Sequence, residues 1–441
     1  MAAPIPAEPK LPKRAFAIIF GVSMATALGN TGLMSVLPVI GRTLAIPDYL
    51  ISGIFSISAI LWAFSSPFWA RTSDRHGRKP LMMLGLSGFM VSMIVCGAIV
   101  TAGMRQMAAP MVIFGMLLLG RALFGFFGAS SNPATQAYVA EHSSREVRTR
   151  SMANLAGAFG LGTVIGPFVA PLFILPKDNI AGPLFGFAAI AAVMLVVVWR
   201  FLPESPFVEE TRRQTLAAEA EVAASGQKLK PMWLDSRLTP FLIYGFLVAV
   251  CQSTQGQILG FLIIDITHLS PTDAQGSIAI AMMFGAVAGL LAQWGIIGFF
   301  EMGPRALLRW GVATAAAGML MVAFAHTFLI VVAGYAISSL GFALARPGFT
   351  AGASLSVKMD EQARAAGAIA AVNGINIVFA PFFVKLYEQV AWAPFMIATA
   401  VLVALLIYAF VNPILKNITE GAATTDEIAS STLERTDEAG V

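Results

Sequence analysis

Pro67-Phe-Trp-Ala-Arg-Thr-Ser-Asp-Arg-His-Gly-Arg-Lys79 gathers Arg71, Asp74, Arg75, Arg78 and Lys79 into a short link between two apolar runs. A helix needs about 20 apolar residues to cross the hydrocarbon core of a bilayer, and each flanking run is that long. The stretch therefore reads as a tight polar hinge joining two membrane spans. On both sides of it the alternation of apolar run and short polar link continues.

Apolar runs fall near 15–38, 49–70, 80–102, 109–131, 149–173 and 181–201, and again near 238–262, 274–299, 304–324, 327–348, 365–387 and 392–412. That makes twelve, in two sets of six. Of the 441 residues, 57% are hydrophobic and 12% charged, with a mean hydropathy of +0.77. Soluble domains carry roughly 25% charged residues. The expected class is all-α integral membrane, with 12 transmembrane helices in two six-helix bundles. The expected divisions are an N-terminal segment over 1–14, a first bundle over 15–202, a linker over 203–237, a second bundle over 238–413 and a polar, disordered tail over 414–441. The linker's middle, Glu210 to Ala224, reads as a solvated stretch with some helix or as an amphipathic surface helix. The first run is too long for a signal-peptide core and is retained as a span.

Basic residues give the orientation. With twelve spans, 22 of the 28 Lys and Arg fall on the side that holds both termini, the hinge and the linker, while Arg42, Arg105, Lys177 and Lys385 lie opposite. Both termini are therefore expected in the cytoplasm. The net charge of +4 sits in short loops, where it orients spans rather than binding nucleic acid. Cys96 and Cys251 lie in apolar runs and read as inert, buried thiols.

A shift of 214 residues lays Pro133 on Pro347, Arg150 on Arg364, Gly160 on Gly374, Pro167 on Pro381 and Phe168 on Phe382, so the halves look like copies. Asp74, Arg75, Gly77, Arg78 and Lys79, with Ala70 where the pattern opens on glycine, resemble the loop signature between the second and third spans of the major facilitator superfamily. Arg121-Ala-Leu-Phe-Gly125 resembles its second signature. Gly162-Thr-Val-Ile-Gly166-Pro167 resembles a motif of its exporters, ending in Ala170-Pro171 in place of a Gly-Gly pair.

Arg121 lies mid-span, where an arginine costs roughly 2.5 to 3.5 kcal/mol, so it must face protein or water. It is read either as paired to backbone carbonyls or, as the resemblance implies, as an agent of proton transfer or cavity electrostatics. Gly162 and Gly166 with Pro167 form a side-chain-free face on a bendable helix, a candidate conformational hinge or a plain packing face. Ser23, Thr26 and Asn30 make a polar stripe on the first span. Exporters of this type often place an aspartate there, whereas here Asn30-Thr31 precedes Leu37-Pro38. Gln252 with Gln255, and Asn373 with Asn376, are spaced to share a helical face. Amides of this kind either hold helices together or touch substrate. No Asp or Glu falls at the centre of any span; Asp48, Asp265 and Glu388 lie toward one side and Asp74, Glu146 and Asp360 toward the other.

No metal-ligand set, phosphate loop or catalytic constellation is present, and His76, His142, His268 and His326 all lie near loops. The chain is expected to be neither an enzyme nor an ATP-driven pump, with no cofactor and no metal. The resemblance implies a monomeric bacterial inner-membrane exporter of a small organic compound, exchanging it for protons by alternating access. A uniporter or proton-coupled importer shares the fold, and a non-transporting receptor is a third class. In this reading the halves rock about Arg121, Asn30, Thr31, Gln252, Gln255, Asn373 and Asn376. Asp74 of the hinge closes as a latch on the start of the eleventh helix near Arg364, and Arg78 pairs with Asp360 or Glu361.

Overall fold

A computed structural model describes residues 12–143, 145–174, 179–206, 213, 235–357 and 361–416. The expected linker helix over 210–224 and the tail from 417 lie outside the described residues, as does Asp360. Twelve helices are long and apolar enough to span a membrane. They are α1 (Lys13–Thr43), α2 (Asp48–His76), α3 (Arg78–Met104), α4 (Pro110–Glu141), α5 (Asn154–Phe173) and α6 (Gly182–Phe201), followed by α7 (Thr239–Thr267), α8 (Pro271–Phe299), α9 (Pro304–Ala323), α10 (Phe328–Leu355), α11 (Arg364–Gln389) and α12 (Ala393–Val411).

Local chemistry sets many of the boundaries. Proline stands in the first turn of α4, α6, α7, α8, α9 and α12, where its missing N–H costs nothing. Ser270 caps α8 by accepting from Asp273 N at 3.2 Å, and Thr327 caps α10 by accepting from Ile330 N. Between α2 and α3 the link shrinks to Gly77, whose φ of 104° lies in the left-handed region that a side chain rarely adopts. A Cβ there would also lie 2.8 Å from the Glu204 carboxylate.

Each half forms a bundle whose tightest seams are glycine-lined. On α9 and α10, Gly311, Gly318, Gly334 and Gly341 meet backbone directly, so the helices touch with no side chain between them. The α1–α5 seam is built in the same way, because a Cβ on Gly162 would overlap Met24 O and one on Gly166 would overlap Leu28 O. The bundles meet through α1 against α7 and α8, α2 against α11, and α5 against α8.

Hydrogen bonds cross that interface from Arg42 to Asp265, from Tyr49 N to Glu388, from Ser56 to Ile377 O at 3.0 Å and from Gln275 to Ser35 at 3.2 Å. Every one of these falls in the half away from the α2–α3 hinge, here called the far end. Toward the hinge end, Gly157 and Gly160 on α5 and Gly367 and Gly374 on α11 face open space. Among the described residues, these polar ties between the bundles gather at the far end.

Candidate functional site

Arg121 is 1% exposed, midway along α4. Its Nη2 donates to Asn30 Oδ1 on α1 at 2.9 Å, and the guanidinium lies over Phe124 at 4.6 Å and Phe55 at 5.5 Å. Nε and Nη1 are buried with no hydrogen-bond partner. Its contacts are thus one neutral amide and two ring faces, not the backbone carbonyls that were one expected alternative. Among the described residues no carboxylate is paired with it. Asp265, the nearest acid expected from sequence, is engaged elsewhere.

The remaining central residues divide by environment. Asn30 is half-buried. Thr26 and Thr31 donate to carbonyls one turn back, at Val22 and Ala27, both at 2.9 Å, so these hydroxyls are satisfied within α1. Gln255 is buried and donates to Ser338 on α10, and Asn376 accepts from Ser253 of α7. Both act as interhelical ties. Asn376 also opens a 3-10 turn in α11 and donates to Asn373 O at 2.7 Å. Asn373 is half-buried, while Gln252 is exposed. Gly256 and Gly260 of α7 pack on Met34 and Pro38 of α1, so the parallel register carries Gln252 to the level of Asn30. Ser253 and Ser338 were not singled out in the sequence, since nothing distinguishes them from other serines in apolar runs.

At the far end, Arg42 forks both ways. Nε and Nη2 reach Asp48 at 2.7 and 2.6 Å, and Nη1 crosses to Asp265 of the second bundle at 3.0 Å. Tyr387 Oη donates to the same Asp265 at 2.6 Å. The Asp48 side chain keeps only 5% of its surface, whereas Asp265 keeps 41% and borders an open vestibule of about 830 Å³. A buried carboxylate persists only with a charged partner, which Arg42 supplies bidentately.

At the hinge end, Arg78 is buried and gathers Asp74 at 2.6 Å, Glu141 at 2.6 Å and Ser73 at 3.0 Å. Ser205 donates to Glu141 at 2.6 Å, and Lys79 Nζ donates to Trp199 O at 2.8 Å. Glu204, just past α6, accepts from Arg78 N at 2.8 Å and Lys79 N at 3.2 Å, placing a carboxylate on the N-terminus of α3. Arg75 and Arg364 stand on opposite bundles at this end.

The expected latch belongs to the state whose site faces outward, and Asp360 lies outside the described residues. Asp74 holds Arg78 of its own bundle rather than the start of α11, and Glu361 holds Arg237 at 3.0 Å rather than Arg78. The acids paired with Arg78 are those of its own bundle. Glu141 and Glu204 carry that network, and sequence order hid them because each closes a different span. Arg237 also binds Asp235 at 2.7 Å and holds that carboxyl at about 2, well below the usual range.

Comparison with known proteins agrees with this architecture. Residues 19–381 match the family described as Major Facilitator Superfamily. The chain is 25% identical over 373 residues to Multidrug resistance protein 2 of Bacillus subtilis (strain 168), covering 84% of this chain and 87% of that one. It is 26% identical over 379 residues to the class C tetracycline resistance protein of Escherichia coli, covering 84% and 88%. A solved bacterial homolog of the human lysosomal transporter Spinster, in an inward-facing and occupied conformation, superposes with a TM-score of 0.69 at 11% identity, covering 92% of this chain and 96% of that one. The chain belongs to the major facilitator superfamily, as a multi-pass membrane transporter of small molecules and not an enzyme.

Proposed function

We propose that this transporter exports a small organic compound, drug-like or metabolic, across the bacterial inner membrane in exchange for protons. It works as a monomer by alternating access, with both termini in the cytoplasm. The observation that carries the reading is the α5 seam: Gly162 and Gly166 set α5 directly on the α1 backbone, with Pro167 beside them, at the motif that resembles the exporters. A helix so held pivots on its neighbour without unpacking side chains. Relatives named for multidrug and tetracycline resistance, at about 25% identity, support the same direction.

In this reading the far end faces outward. Asp265 borders the vestibule, facing Arg42 and Tyr387, with Asp48 and Glu388 close by. Opening of the far end breaks the arm of Arg42 that ties the bundles together. Substrate leaves from that state, and the arm re-forms on closure. Arg121 holds the substrate site between the two gates.

The test uses energised inside-out vesicles with an acidified lumen, a chemically broad compound panel and lumenal pH followed by dye fluorescence. Compound-induced alkalinisation, abolished in Arg121→Ala and slowed in Asp265→Asn, is expected. Labelled compound crossing without any proton movement would refute exchange and leave a uniporter.

A further inference from the structure

Arg121 and Asn30 define an unusual charge balance. The guanidinium is buried, keeps two nitrogens without partners and, among the described residues, has no paired acid. Asn30 accepts from it through Oδ1 and is half-buried, which leaves its amide N–H groups as donors that Arg121 does not use. A neutral amide passes the positive field on instead of cancelling it.

A second arginine extends that field. On α10, Phe349 packs on Gly245 of α7, while Tyr335 and Ser339 pack on Gly285 of α8. Arg346 lies between those two faces. That side turns toward the first bundle, because α7 and α8 are the helices touching α1. Arg346 is exposed and forms no ion pair among the described residues. By helix rise it sits roughly 10 Å nearer the hinge end than Arg121. The described acids of the spans all lie at the ends: Asp48, Asp265, Asp273 and Glu388 at the far end, and Asp74 and Glu141 at the hinge.

We propose that the central cavity is an anion site. Its substrate is an amphipathic organic anion whose carboxylate or equivalent group docks on Asn30 with the charge of Arg121 behind it, and Arg346 is a second positive station on the way in from the hinge end. The substrate supplies the countercharge that the protein withholds. This rests on the reading of the chain as a carrier of small organic compounds, but the cavity charge is measurable without transport.

The test places a cysteine at Gln252, exposed at the level of Asn30, in otherwise unchanged protein whose native cysteines are buried. Its rates with anionic sulfonatoethyl and cationic trimethylammonium-ethyl methanethiosulfonates are each normalised to a free thiol. A normalised preference of about tenfold for the anionic reagent is expected from one uncompensated charge at this range. Arg346→Gln should reduce it severalfold. Asn30→Asp, which gives Arg121 a carboxylate partner, should also reduce it severalfold, and the double variant should erase it, with size-exclusion profiles confirming folded protein. A ratio at or below one, or a ratio unmoved by Asn30→Asp and Arg346→Gln, overturns the proposal.

A second measurement reads the ligand class on purified protein in zwitterionic nanodiscs, using dansylglycine as anion, dansylamide as neutral and dansylcadaverine as cation. Dansylglycine should bind tightest, and Asn30→Asp should reverse the order against dansylcadaverine. Equal or tighter binding of the cation by the parent protein, or binding of none of the three, overturns the organic-anion assignment. Failure of vesicle export with the cavity charge intact would instead strike only the export reading.

Discussion

Asp265→Asn isolates the one arm of the far-end clamp that ties the two bundles. Arg42 stays bound to Asp48, so no buried carboxylate is stranded, and an asparagine oxygen still accepts from Tyr387. What is lost is the charge on the far side of the contacts at 3.0 and 3.2 Å. At roughly 4 Å between charge centres, Coulomb's law gives about 4 kcal/mol at an effective dielectric of ~20 and about 1 kcal/mol in water. The Asp265 side chain keeps 41% of its surface, so the watery figure governs. Because the contact exists only when the far end is closed, about 1 kcal/mol translates into a shift of about fivefold toward the far-end-open state. Spin labels on cysteines introduced at exposed Gln106 and Gln389 report that distance by electron–electron double resonance. The long-distance population should grow about fivefold in the variant. A double-mutant cycle with Arg42→Gln should return a coupling near 1 kcal/mol. A distance distribution unchanged within twofold, or a coupling near zero, would refute the clamp.

Gly166→Val should abolish transport, since its Cβ overlaps Leu28 O and overpacking costs about 1 to 3 kcal/mol, whereas Gly157→Ala, facing open space, should transport normally; vesicle uptake compares them. Glu141→Gln strips a partner from buried Arg78 and should cost about 3 kcal/mol, read as a drop in Tm in detergent. Glu204→Ala removes the carboxylate from the start of α3 and should lower stability by about 1 kcal/mol in the same assay. A carboxyl held down at about 2, as Asp235 is by Arg237, contributes stability above its ordinary range and loses it only as pH falls through about 2. Parent and Asp235→Asn should therefore show parallel Tm profiles between about pH 5 and 8.

The twelve spans were legible because each depends on local composition: an apolar run, a proline in a first turn, a charged link. Arg121 was legible for the same reason, since a lone arginine inside an apolar run announces its cost wherever the helix packs. The networks were not. Arg42, Asp48, Asp265 and Tyr387 lie in four helices of two bundles, and each by itself is an ordinary residue at a span end. Glu204 sits one residue past Pro203, where it reads as the start of a polar linker until the fold brings it onto α3.

The two kinds of feature also behave differently as the protein moves. The Gly162 and Gly166 seam and the Arg78 cluster join helices within one bundle, so they persist in every state that keeps the bundle intact. The Arg42 arm to Asp265 joins the bundles and must break for the far end to open. Asn30 and Arg121 lie between these gates within the first bundle, so their pair survives the cycle while the space before it opens to one side and then the other. A positive site that never changes its partners cannot itself drive the switch. Partner exchange across the bundles falls instead to contacts such as the Arg42 arm to Asp265.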